Sequence, residues 1–118
     1  MNTIREVGIE FEKTHKRMAE LANSLSELRE NYQRAKALYE NSFSRHLLEI
    51  KAREPEWTVQ EVKAQATNLA YDDRLLCIKA ESAYKRVVNE MKMLDTYLEG
   101  LKEHSYNLRQ ELKNLGSN

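Results

Sequence analysis

From Ile4 to Tyr39 the chain places Ile4, Val7, Phe11, Thr14, Met18, Leu21, Leu25, Leu28, Tyr32, Ala35 and Tyr39 alternately three and four residues apart. This spacing constrains the fold more than any other feature. A repeat of 3.5 residues keeps one apolar seam of an α-helix turned toward a neighbouring helix along its whole length. Thr14 is the only clearly polar member. The seam continues through Phe43, Leu47 and Ile50, and two successive steps of four form a stutter that locally unwinds the supercoil.

The second half behaves alike. Val62, Ala66, Leu69, Asp73, Leu76, Ala80, Ala83 and Val87 are followed by Met91, Leu94, Leu98, Leu101, Ser105, Leu108, Leu112 and Leu115. A second stutter is expected at Ala83–Val87–Met91. Asp73 puts a charge on the seam, so pairing there is expected to be imperfect or polar.

Between the halves stands "KAREPEWTVQE", residues 51–61, with the single proline and the single tryptophan. Pro55 disfavours helical geometry at Glu54 and has no N–H to donate, which predicts a helix end near Arg53. Thr58–Glu61 reads as a capping box that restarts the helix, with Trp57 and Val62 placed as a hydrophobic staple. Thr3–Glu6 reads as another box at the start, and Gly116 as a C-terminal stop. "NSLSE" at 23–27 could also cap, but the unbroken seam favours one continuous first helix.

The expected fold is therefore all-α, a single helical domain over 1–118. Two long helices, 3–53 and 59–115, join at a short proline-containing corner over 54–58. Helices of roughly 50 residues run about 75 Å at 1.5 Å per residue. Folded as a coiled-coil hairpin they bury only a narrow stripe, so a homo-oligomer is expected. The composition agrees, with 32% charged residues and only three glycines. A sheet would require far more turn signals.

Charge narrows the partners. The 19 Lys and Arg balance 19 Asp and Glu, so any attraction to a polyanion must be local. Residues 31–53 carry five cations against two acids. Cys77 is the only cysteine, which excludes an internal disulfide and suits an intracellular protein. The opening "MNTIREVGIEFEK" lacks a basic n-region followed by an apolar core, and no apolar run approaches bilayer length, so neither signal peptide nor membrane span is expected.

Chemistry is sparse. His15, His46 and His104 stand far apart, outside any metal-ligand spacing, and read as surface helix residues. Cys77 lies in the apolar "LLCIKA" and reads as a structural thiol. Asp72 and Asp73 diverge by about 100° on a helix and do not converge on one ion. No glycine-rich loop cradles a phosphate. No enzyme and no cofactor are expected.

The remaining candidate is "NYQRAKALYENSFSRHLLEIKAR", residues 31–53, where Arg34, Lys36, Arg45, Lys51 and Arg53 interleave with Tyr32, Tyr39 and Phe43. Surfaces that bind single-stranded nucleic acid combine cations along the backbone with aromatics that stack on bases. The opposing account is that the aromatics belong to the seam and that Lys51 and Arg53 oppose the helix dipole. Lys51 and Arg53 are also about 200° apart on a continuous helix, so joint contact requires the chain to leave the helix or a neighbouring subunit to contribute.

"LLEIKAREPEW" resembles the UvsY family of phage recombination mediators, which help load a RecA-like recombinase onto single-stranded DNA. The family carries a helical segment ending in Lys-Ala-Arg, then a turn with aromatics, then a long helical region. Lys51-Ala52-Arg53 matches the motif, and Trp57 sits where the family has turn aromatics. Downstream, "AYDDRLLCIKAESAYKRVVNEMKMLDTYLEGLKEHSYNLRQ" is similar in pattern to the family's self-association region. The corner departs from the family in being shorter, with Pro55 in place of a glycine-rich loop.

The resemblance implies single-stranded DNA, a RecA-like recombinase and a single-strand-binding protein as partners, besides further copies of the chain. It implies phosphate contacts from Lys51 and Arg53, supported by Arg45, Lys36 and Arg34. A closed homo-oligomer would multiply weak subunit sites by avidity. It also implies the host cytoplasm for a phage-encoded protein. The alternative reading is a coiled-coil structural or assembly adaptor without DNA binding. A membrane-surface or peptide-binding module ranks last, because no strongly basic face opposes a bulky apolar one.

Overall fold

The computed structural model describes residues 3–116. The chain forms three α-helices, α1 (Ile4–Arg53), α2 (Val59–Leu69) and α3 (Tyr71–Gly116), with no strand among the described residues. The fold is an all-α helical hairpin. It divides into two compact units, one built from the residues up to Leu25 with those from Arg86 onward, the other from Ser26–Lys85.

α1 is continuous past Asn23, where a break was conceivable. The Ser24 hydroxyl bonds back to the Leu21 carbonyl at 2.9 Å and so does not cap a new helix. The Thr3 Oγ1 accepts the Glu6 N–H at 3.1 Å, which caps the start of α1. From Val7 to Ile50 every expected seam member of α1 is buried or half-buried, including Thr14 at 5% exposure.

In the first unit Val7, Leu98 and Leu101 form the core, with Phe11, Met18 and Leu108 packed on it. In the second, Ile50, Val62 and Ala66 form the core beneath Phe43 and Leu47. Each core joins an α1 residue to residues from the returning arm.

The corner is a tight turn. Glu54 N–H still donates to the Ile50 carbonyl at 2.7 Å, and Trp57 N–H closes onto the Glu54 carbonyl at 3.2 Å. Pro55 thus occupies the second position of a turn, where its fixed φ fits. Thr58 is the N-cap of α2, extended at φ −70° and ψ 160°. Its Oγ1 accepts the Glu61 N–H at 3.2 Å and its hydroxyl donates to Glu61 Oε1 at 3.1 Å.

The second arm departs from the expected single helix at Ala70. Ala70 sits at φ −93° and ψ 13°, with its N–H directed at the carbonyls of both Ala66 and Asn68. Arg74 N–H bonds to the Ala70 carbonyl at 3.0 Å, so the chain is reset in phase rather than broken.

That reset moves the seam. After the step of four from Ala66 to Ala70, the inward residues are Asp73, Cys77, Ala80, Tyr84, Val87, Met91, Leu94, Leu98, Leu101, Ser105 and Leu108, all buried or half-buried. The expected members Leu69 and Leu76 are instead 46% and 57% exposed. The stutter lies at Ala70, and none occurs at Ala83–Val87–Met91. Leu112 and Leu115 are also exposed, and with Thr3, Ile4, Leu108 and Glu111 they line an open apolar hollow of about 310 Å³. Gly116 is the last residue of α3 and the last described residue of the chain.

Candidate nucleic-acid interface

The five candidate cations all lie on α1 and all are exposed. α1 stays helical through Arg53, so Lys51 and Arg53 keep their separation of about 200°. Helical spacing sorts the five onto two sides. Lys36 and Lys51 are about 60° apart on one flank of the seam. Arg34 and Arg45 are about 20° apart on the outward face, with Arg53 about 80° further round.

The outward face has its own regular stripe, Arg34, Leu38, Asn41, Arg45 and Leu48, with Leu38 56% and Leu48 69% exposed. Arg45 reaches Glu49 at 4.0 Å, and His46 Nδ1 lies 3.7 Å from the same carboxylate. Among the described residues, Arg34, Lys36, Lys51 and Arg53 make no ion pair within 4.0 Å.

The aromatics of the basic stretch are occupied internally. Tyr32 stacks on Tyr84 with centroids 6.0 Å apart, and Arg29 stands 5.9 Å over the Tyr84 ring. Tyr39 lies almost parallel to Phe43 at 6.3 Å. All four rings are half-buried, and a base entering between them would have to displace packing. They serve the seam.

Trp57 differs. It is 37% exposed and lines a hollow of about 290 Å³ with Lys51, Glu54, Pro55, Val59 and Val62. Trp57 and the buried Val62, the two residues expected to form the staple, both line this hollow. One flat indole and one ammonium therefore converge at the corner. Glu54 on the same wall offsets the charge of Lys51, so an occupant would be held more by stacking than by Coulomb attraction. Arg53 is not on this wall.

Charge alone did not single out Trp57, and its capping role gave it a sufficient structural reason. The signal available in the sequence was its position after Lys-Ala-Arg. Cys77 is half-buried on the seam, as a structural thiol would be. His15 is exposed and stacks on Phe11 at 6.2 Å, but His46 and His104 are half-buried rather than surface residues. Among the described residues no group of three or more His, Cys, Asp or Glu is placed to hold a metal. No helix there is long and apolar enough to cross a membrane.

No family model, no curated protein and no solved structure matches the chain.

Proposed function

We propose that this chain is a UvsY-like recombination mediator, a non-enzymatic homo-oligomer that binds single-stranded DNA at its corner. The observation that carries the reading is the pairing of Lys51 with the exposed Trp57 in one hollow. A base stacked on the indole places its phosphate within reach of the ammonium, which is the two-part scheme of single-strand binding. Arg53, the last residue of the Lys-Ala-Arg match, takes a phosphate where the strand passes around the end of α1. Arg45, Lys36 and Arg34 supply weaker contacts along the helix.

Such a site is weak in a single subunit. Several copies holding one strand raise the apparent affinity through effective concentration. A strand held in that way can be handed from a single-strand-binding protein to a RecA-like recombinase. Because Glu54 shares the hollow, the salt dependence of binding should be shallow, reporting few released counterions.

Fluorescence anisotropy of a labelled single-stranded oligonucleotide tests this with wild type, Trp57→Ala, and Lys51→Ala/Arg53→Ala at two salt concentrations. Trp57→Ala should cost about 1–3 kcal/mol per stacked base at both salts. The double variant should weaken binding and flatten its salt slope. Binding that survives both changes moves the site elsewhere. Absence of wild-type binding at low salt rejects the mediator and leaves the adaptor coiled coil.

A further inference from the structure

Near the start of α3 the side facing α1 is lined by small or polar residues, Ala70, Asp73, Cys77 and Ala80. Bulkier ones point away, with Tyr71 53% and Ile78 46% exposed. These outward residues follow a repeat of their own. Asn68, Tyr71, Leu75, Ile78 and Ser82 are spaced alternately three and four, and all are exposed except Leu75, which is half-buried among them. Leu75 is two residues from Cys77, and Ile78 two from Ala80, which is about 200° around the helix. The chain thus carries a second seam diametrically opposite the one it uses internally. A helix apolar on two opposite sides is built for two neighbours.

Charge supplies the identity of the second neighbour. Asp72 and Lys79 flank the outward stripe on one edge, and Arg74 and Glu81 on the other, in each case one heptad apart. Each edge therefore carries one acid and one base, which is the arrangement that complements itself when reversed.

We infer that this stripe is a homotypic interface, in which a second copy of the chain packs antiparallel about a two-fold axis between Leu75 and Ile78. In that register Leu75 meets the partner's Ile78, and Tyr71 meets the partner's Ser82. Asp72 faces the partner's Lys79 on one edge, and Arg74 faces the partner's Glu81 on the other. The two-fold axis repeats each pair, as any isologous contact does. Glu81 engages Lys85 of its own helix through Oε1, and its second oxygen is the acceptor for the partner's Arg74. A parallel pair on the same stripe would set Arg74 beside the partner's Lys79, and that repulsion offsets its one favourable edge pair, Glu81 with the partner's Arg86. Flanking charges of this kind select orientation in helix pairs. The inference deepens the self-association in the proposed function and rests on that part of it. None of these residues lines the corner hollow.

Sedimentation equilibrium of the full chain over a range of concentrations tests the interface with wild type, Asp72→Lys, Lys79→Asp and the double swap. Asp72, Lys79 and Arg74 are exposed, so circular dichroism should report unchanged helicity. Each single reversal turns two attractions into two repulsions per pair of chains and should raise the dissociation concentration about tenfold. The double swap should restore wild-type association. Asp72→Lys also loses a favourable position at the start of α3, so Lys79→Asp and the swap decide.

A wild type that stays monomeric up to about 100 µM overturns the inference, since affinity weaker than that cannot support an assembly. So do single reversals without effect, or a swap that fails to recover. Association insensitive to these charges alongside normal DNA binding rejects this interface and keeps the mediator. Charge-sensitive association without DNA binding does the opposite.

Discussion

Tyr97 donates to Glu10 Oε2 at 3.2 Å, seven residues along each arm from the place where Arg17 grips Glu90. The Arg17 contact is two-pronged, Nε to Oε1 at 2.9 Å and Nη2 to Oε2 at 3.2 Å. Two polar ties one heptad apart on both helices fix the antiparallel register of this unit, over a core that a slide of one turn would also satisfy in part. Arg17→Glu and Glu90→Arg should each lower the melting temperature, and the combined swap should recover it. The loss should shrink at high salt because the pair is exposed.

The revised seam of α3 makes a sharp distinction between two leucines. Leu98 is 5% exposed in the core with Val7 and Leu101, whereas Leu76 is 57% exposed. Leu98→Ala should cost about 3 kcal/mol in urea denaturation. Leu76→Ala should change stability by no more than about 0.5 kcal/mol. Equal costs would restore the phase expected from spacing alone.

Thr58 both accepts the Glu61 N–H and donates to the Glu61 carboxylate. Thr58→Ala should cost about 1 kcal/mol, and Thr58→Ser almost nothing, because serine keeps the capping oxygen. A Thr58→Ser variant as unstable as Thr58→Ala would show that the cap is not the source of the effect.

Stability should fall in alkali. Partial desolvation raises the Tyr97 hydroxyl above its ordinary value near 10, and the negative charge of Glu10 and their hydrogen bond raise it further. The fold therefore favours the neutral phenol. Its contribution is complete below the ordinary value and is lost as pH rises through the raised one. Lys85 moves in the same direction through its hydrogen bond to Glu81, and its contribution is lost in the same sense. Thermal melts from pH 8 to 11 should show a steeper decline for wild type than for Tyr97→Phe.

Much of the architecture was legible because helices and corners are local. Alternate spacing of three and four, the scarcity of glycine and proline, and the pairing of Pro55 with the Thr58 cap determined where α1 ends and the chain restarts. The inward face of α1 followed as well, since an unbroken helix carries its phase from Val7 to Ile50 without error.

Tertiary structure decided what depends on phase between elements. The pause at Ala70 costs nothing that spacing can register, because stepping from Ala66 to Leu69 or to Ala70 keeps an apolar residue inside either way. The fold buries the smaller side chain, Ala70, and leaves Leu69 and Leu76 46% and 57% exposed. The same holds at the corner. Sequence placed Lys51, Arg53 and Trp57 near one another along the chain, with Lys51 and Arg53 on different sides of a continuous helix, but only the turn closed by Trp57 onto Glu54 put the indole with Lys51. Spacing along one helix sets direction within that helix, whereas the meeting of side chains from different segments is set by the contacts that bury most surface.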